Sequence, residues 1–484
     1  SPEVDELVTE YYKVLVASPY RNELEKKWGN QLFDLADFQI KGFSSELIGL
    51  MQKENKLTSD YSKLVASAEV EFEGEKYTLA QLGKFTESTD REIRKKAREA
   101  SIGFFQENEA KFDDIYDQLV KLRHEMATTL GYKNFVELGY IRMNRIDYNA
   151  EMVKKFRDQV RDYIVPLANK LHERQAKRIG VEKLKFYDEP LNFLTGNATP
   201  QGSPQWIIDN GKKMYEELSP ETAEFFQFMI DRDLMDLEAK KGKEAGGYCT
   251  FIDDYESPYI FSNFNGTSGD IDVLTHEAGH AFQVYTSRNI GIPEYIWPTF
   301  ESCEIHSMSM EFFTWPWMEL FFKDQTEKYK FAHLSSGLLF LPYGVAVDEF
   351  QHIVYENPEM TPAERKAAWR KIEQTYLPHR DYDGNSYYEA GGFWQRQGHI
   401  YASPFYYIDY TLAQICAFQF WKRSREDRDS AWKDYLHLCK LGGSMSFTKL
   451  VKEANLISPF EEGCVESVIG TIEDYLNSVD DASL

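Results

Sequence analysis

The chain has 484 residues, of which 42% are hydrophobic and 15% aromatic, with 33 Phe and 30 Tyr. That is ample for a large buried core and, on length alone, for two or three domains. Acidic residues outnumber basic ones by 79 to 55, giving a net charge of −24. With no basic tract to offset it, this charge excludes nucleic acid as an expected partner, because repulsion from phosphates opposes association.

The elements are predominantly helical. Ser1-Pro2-Glu3 predicts a first helix through Tyr12 to Val16. Val70 to Tyr77 alternates around Glu73-Gly74 and reads as a small hairpin. Ser88-Thr-Asp-Arg-Glu-Ile starts a long helix through Phe105 and Phe112 to Leu122, and Asp147-Tyr-Asn-Ala-Glu starts another through Val165 and Leu171. Ser203-Pro204, Ser219-Pro220 and Thr361-Pro362 each pair a capping residue with an initiating proline. The clearest loop is Thr195 to Pro204, and there is no internal repeat. Gly247 to Ile252 and Tyr259 to Phe264 read as two strands just ahead of the helix that carries the main motif. Extended backbone there suits peptide binding by strand addition, and equally suits simple bracing of that helix.

The strongest chemical signal is His276-Glu-Ala-Gly-His280. On a helix, His276 and His280 lie one turn apart on one face, so both imidazoles can reach a single metal ion. Glu277 projects beside them, placed to take a proton from a water on that metal without being a ligand. Asn265-Gly-Thr-Ser-Gly-Asp270 supplies a turn and capping residues, so the helix should start near Asp270 or Asp272. Val273, Leu274, Ala278, Ala281 and Phe282 make it largely apolar, and Gly279 lets another element pack closely.

Two histidines leave the site short of a ligand, since catalytic zinc takes three from the protein. The segment Phe300 to Thr314 offers Glu301, Cys303, Glu304, His306 and Glu311. Spacing alone does not choose between them, although Cys303 suits a structural thiolate site and His306 points away from Glu304. For Glu301 and Glu311 a structural role, solvated or paired with a lysine, is the simpler reading. His124, His172, His333, His352, His379 and His437 are scattered and read as structural. The polar loop His379-Arg-Asp-Tyr-Asp-Gly384 is a candidate lining for a substrate channel.

Three blocks carry a resemblance: Gly246 to Thr250, Phe261 to Phe282, and Glu304-Ile-His-Ser-Met-Ser-Met-Glu311. Together they resemble the thimet-oligopeptidase family of zinc metallopeptidases, above all its oligoendopeptidase F branch, with thimet oligopeptidase and neurolysin more distant. The similarity runs from about residue 90 to the C-terminus. It implies one zinc ion held by His276, His280 and Glu304, with Glu277 as general base. It also implies a mainly α, two-lobed body with a deep channel for short peptides and a small β element beside the metal helix. Members usually carry a further helical segment ahead of the point where this sequence opens, on Ser-Pro-Glu rather than Met. The expected organisation is an N-terminal helical lobe, 1–140, and a catalytic body, 141–484.

A third segment runs from Gly391 through His399 to Tyr410. Attack on a peptide carbonyl builds negative charge on its oxygen, and a histidine or tyrosine can donate a hydrogen bond to it at neutral pH. The resemblance places a histidine and a Tyr-x-x-Tyr pair here, matching His399, Tyr407 and Tyr410. For Tyr401 and Tyr406 a buried structural role is the simpler reading.

The expected function is hydrolysis of internal bonds in short unstructured peptides. A helical zinc carboxypeptidase of related architecture and a non-catalytic peptide-binding protein are the alternatives. Cys249, Cys303, Cys416, Cys439 and Cys464 form no C-x-x-C pair or disulfide framework, which favours a reducing, cytoplasmic setting. No membrane association is expected, as no apolar run approaches the roughly 18 residues of a span and no signal peptide is visible.

Overall fold

Cap chemistry sets where the helices begin. The computed structural model describes residues 2–240, 243 and 246–484, and Ser1, expected to open the first helix, lies outside them. That helix runs Pro2–Val16. Ser203, Ser219 and Thr361 each accept a backbone N–H three residues on, at 3.3, 3.1 and 3.3 Å. Each is followed by proline at the first helical position, where no N–H is needed. The helices so started are Pro204–Leu218, Pro220–Asp231 and Pro362–Tyr376.

Two expected long helices are interrupted. The one through Phe105 and Phe112 breaks at Asn108, giving Arg91–Glu107 and Glu109–Thr129. The Asn108 side chain donates to the Phe104 carbonyl at 2.9 Å, competing with the helical ladder there. The helix begun at Ala150 widens into a π-helical turn over Val160–Ile164 before continuing as Val165–Arg178. Pro166 lacks an N–H and clashes with the preceding turn, which accounts for the local widening.

Two small sheets complete the described secondary structure. Strands β1 (Val70–Phe72) and β2 (Glu75–Tyr77) form the expected hairpin, pairing Val70 with Tyr77. Glu73 and Gly74 both take positive φ, 51° and 83°, as a two-residue turn of this twist requires. Strands β3 (Met235–Glu238), β4 (Tyr248–Ile252) and β5 (Ser257–Phe264) form a sheet of order β3-β5-β4. β4 pairs antiparallel with β5, and β3 lies parallel to it. The sequence reading missed β3, a strand of four residues too short for its alternation to stand out.

The chain forms two compact units, residues 1–196 with 339–411 and residues 197–338 with 412–484. The residues around the expected boundary at 140 share the first unit and one helix, Phe135–Arg142. In the first unit, Tyr116, Trp394 and Tyr401 pack as a buried aromatic group, with Tyr116 to Trp394 ring centroids 4.7 Å apart. In the second, the helix Gly269–Ser287 buries Leu274, Ala278, Ala281, Phe282 and Val284 completely. Phe282 packs on Phe225 and Trp432, with centroids 5.5 and 6.0 Å away. Burying side chains of this size contributes roughly 1.5–3 kcal/mol each, so this helix is anchored by its apolar majority. No helix among the described residues is long and apolar enough to cross a membrane.

Candidate active site

The metal helix, Gly269–Ser287, starts where the turn before it is tied down: the Asp270 carboxylate accepts the backbone N–H groups of Asn265 and Gly266, both at 2.8 Å. The helix Phe300–Phe313 packs directly against it. Gly279 sets that approach, because a Cβ there would lie 2.6 Å from the Ser307 Cα and 2.8 Å from the His306 carbonyl oxygen. Only glycine leaves room for the crossing, which outweighs its cost in helix propensity.

The crossing brings Glu304 to the two histidines. Its Oε2 lies 3.2 Å from His276 Nε2 and 3.5 Å from His280 Nε2. One donor atom from each residue falls within 4.8 Å of the others. A tetrahedral ion with bonds of ~2.0–2.1 Å has donor atoms about 3.3 Å apart, so this set fits one small divalent ion. Burial opposes a charged Glu304, yet His280 and His276 hold its carboxyl well below the usual range. Burial also opposes a charged His276, yet Glu304 and Glu311 hold its pKa well above normal. A cation at Nε2 would take the place of that proton.

Glu277 is buried beside this group, with Oε2 unpartnered among the described residues. Burial pushes its carboxyl up, against the pull of His276 and His280. Its Oε1 borders edge strand β4, 3.7 Å from where a Cβ on Gly247 would sit. A carboxylate with a spare oxygen and a raised pKa is suited to exchanging a proton with water.

Glu311 is where the sequence reading missed a role. It is neither solvated nor paired with lysine. Its Oε1 meets His276 Nδ1 and its Oε2 meets His333 Nε2, both at 2.7 Å. The Trp315 indole N–H donates to His333 Nδ1 at 3.3 Å. An indole nitrogen only donates, so His333 Nδ1 accepts and Nε2 carries the proton given to Glu311. Glu311 can then accept from His276 Nδ1–H, which turns Nε2 toward the side of the ring where Glu304 and His280 lie. Outer carboxylates of this kind fix a ligand's tautomer and orientation. The seven-residue step from Glu304, two turns on the same face, was the available signal. Glu301 is buried in the first helical turn outside the donor group, and Cys303 donates to the Pro298 carbonyl at 3.4 Å. His306 is buried, and burial lowers its pKa to about 3.

His399, Tyr407 and Tyr410 gather in the first unit. Tyr343 donates to Gln397 Oε1 at 2.9 Å, which orients the amide so that Gln397 Nε2 donates to His399 Nδ1 at 2.8 Å. The His399 proton therefore sits on Nε2, 3.4 Å from the Tyr410 hydroxyl. Tyr407 and Tyr410 rings lie 5.6 Å apart. Burial raises the Tyr407 phenol well above its normal value, keeping it a donor.

The backbone leading into these tyrosines is locked by residues that sequence reasoning did not find. Buried Arg145 donates to Asp409 Oδ1 at 2.9 Å and to the Phe405 carbonyl. Gln351 Oε1 accepts the Phe405 N–H at 2.8 Å, and Phe405 sits at φ 68°. Nothing in the local spacing around Tyr407 points to partners more than fifty residues away.

A His₂Glu donor set with a spare carboxylate beside it is the ligand chemistry of metal-dependent hydrolases. The chain matches Peptidase family M3 over residues 84–193 and 221–468, and the Peptidase M3 N-terminal domain over residues 1–43. It belongs to peptidase family M3, and within it to the oligoendopeptidase F branch. It is 26% identical over 428 residues to the oligoendopeptidase F homolog of Borreliella burgdorferi, covering 82% of this chain and 69% of that protein. Among solved structures, PZ peptidase A with inhibitor 2 is 69% identical, with a TM-score of 0.97 covering 99% of this chain and 86% of that one. A Bacillus anthracis str. Ames chain bearing the name oligoendopeptidase F is 60% identical, with a TM-score of 0.92 and coverage of 100% and 85%.

Proposed function

We propose that this peptidase is a zinc-dependent, cytoplasmic endopeptidase that cuts internal bonds of short unstructured peptides. The observation that carries the reading is the donor group itself: two imidazoles and one carboxylate, spaced for one tetrahedral ion, with the spare oxygen of Glu277 beside them. Two nitrogens and one oxygen suit zinc among the common divalent ions. His276, His280 and Glu304 would hold it, and when bound it supplies Lewis-acid activation of water and of the scissile carbonyl.

The protein's own groups do the rest. Glu277 takes the proton from the attacking water and delivers it to the leaving amine. His399, Tyr407 and Tyr410 act as donors to the carbonyl oxygen as negative charge builds on it. Edge strand β4 offers extended backbone to which a peptide can add with little regard for its sequence. A negative net charge of −24 gives nucleic acid no footing.

Digestion of a mixed peptide library, read by mass spectrometry with and without a chelator, tests this reading. Internal cuts that vanish with chelator and return with zinc are expected. Cleavage confined to the last residue, with doubly end-blocked peptides left whole, would instead establish a carboxypeptidase. Peptide binding without any cleavage would establish a non-catalytic protein.

A further inference from the structure

A cavity of about 290 Å³ lies within the first unit, lined by Arg98, Arg380 and Arg396 with Glu189 as the one carboxylate, and walled by rings that include Tyr343 and Phe393. Arg380 comes from the polar loop that the sequence singled out. It already has its counter-charge, since Glu189 receives its Nη2 at 2.9 Å and its Nε at 3.3 Å. Arg98 and Arg396 have no carboxylate within 4.0 Å among the described residues, and Arg98 Nε is buried without a hydrogen-bond partner. Burial and the neighbouring Arg396 lower the Arg98 pKa to about 10. Arg396 reaches the cavity from the exposed surface, whereas the buried, unpartnered Nε of Arg98 carries a cost that a bound anion would offset.

Resting on the peptidase reading, we propose that this cavity receives the terminal carboxylate of the peptide substrate on Arg98 and Arg396, with the last side chain, apolar or aromatic, against the ring walls. A guanidinium fork matches a carboxylate in bidentate geometry. The Phe393 ring already carries the guanidiniums of Arg380 and Arg396, 4.6 and 5.0 Å from its centroid, so it fixes their planes. Tyr343 and Gln397 belong both to this lining and to the hydrogen-bond chain that orients His399. A carboxylate seated here therefore meets the same side chains that set the His399 tautomer. A cavity of this size takes one residue and its carboxylate.

The test uses an acetylated heptapeptide ending in leucine as the free acid, and its twin ending in leucinamide. Calorimetric titration into the full chain carrying Glu277→Gln should give the acid a roughly ten- to hundredfold lower Kd than the amide, as for a charge-assisted pair. Arg98→Met and Arg396→Met should each bring that ratio close to one, and Arg98→Lys should restore part of it. Because Arg98→Met removes an uncompensated buried charge, its Tm should equal or exceed that of the parent; a lower Tm would mark Arg98 as a structural residue and overturn the proposal. An acid-to-amide ratio near one in the parent, or one that survives both methionine variants, would also overturn it, as would inorganic phosphate binding that leaves the twins equivalent. If zinc-loaded wild type cuts both twins internally at equal rates, the carboxylate site fails and the endopeptidase stands. If it cuts neither, the peptidase reading fails as well.

Discussion

The His276–His280–Glu304 group of the second unit and the His399–Tyr407–Tyr410 group of the first are built by different means. His276, Glu277 and His280 take their relative positions from one helix, and Glu304 and Glu311 take theirs from another. Backbone periodicity does the placing, and a single glycine sets the crossing. His399 sits in the five-residue helix Gly398–Ala402 and Tyr407 and Tyr410 in the first turn of the helix Tyr407–Glu426, and long-range bonds from Arg145, Gln351 and Tyr343 hold the segment that joins them. Regular backbone alone spaces the first group, while in the second a hydrogen-bond scaffold of distant side chains sets how His399 meets the tyrosine helix.

The sharpest way to break that comparison is at its functional centre. Glu277→Gln should lower kcat by about 10²–10⁴-fold, the range for general acid–base catalysis, with bound zinc unchanged by elemental analysis. His280→Ala should lose the metal itself. Loss of zinc in Glu277→Gln would show that ligand and base are not separate roles.

Tyr410→Phe comes next, with a fall in kcat of about 10²–10³-fold expected for one lost oxyanion donor. Steady-state kinetics should show KM little altered and metal content intact; an unchanged kcat would remove Tyr410 from the chemistry.

Glu311→Gln should weaken zinc binding by about 10–100-fold, as for other outer-shell partners, measured by competition with a chromogenic chelator. His333→Gln should move it in the same direction by less. If neither shifts the affinity, His276 is oriented by its helix alone.

The smallest effect belongs to the scaffold of the first unit. Burial opposes ionisation of Asp348, but His352 and Arg157 hold its pKa down to about 2. A carboxyl depressed on folding contributes stability above its unfolded pKa of about 4, and that contribution is lost as pH falls toward the folded value. Thermal melts of wild type should therefore drop more steeply between about pH 4 and 2 than those of Asp348→Asn. Parallel curves would show that the pair adds nothing to this pH dependence.

Legibility in the sequence followed the same division. The metal helix, both strands preceding it, the β1–β2 hairpin and the cap-proline starts could all be read from local patterns, because each depends on residues within a few positions of one another. Glu304 was open on spacing and needed the family likeness. Glu311 and His333 were passed over because a carboxylate bridging two histidines requires two helices to meet, and no local pattern encodes that meeting. Asn108 was swallowed by a helical hydrophobic pattern that continues on both sides of it. Strand β3 was lost because its partner, β5, lies more than twenty residues on. Arg145 and Gln351 were invisible for the same reason, as their partners Asp409 and Phe405 are remote in sequence.

Gly279 carries one more consequence. As a pattern, His-Glu-x-x-His leaves its third and fourth letters open, as though any residue would do. In this chain the fourth letter admits only a hydrogen atom, since a methyl group there would fall 2.6 Å from the Ser307 Cα. A position with no side chain and no chemistry of its own is thereby as restricted as the histidines of the motif. The variable letters of a motif are free only in the alphabet; in a folded molecule the neighbouring helix spells them.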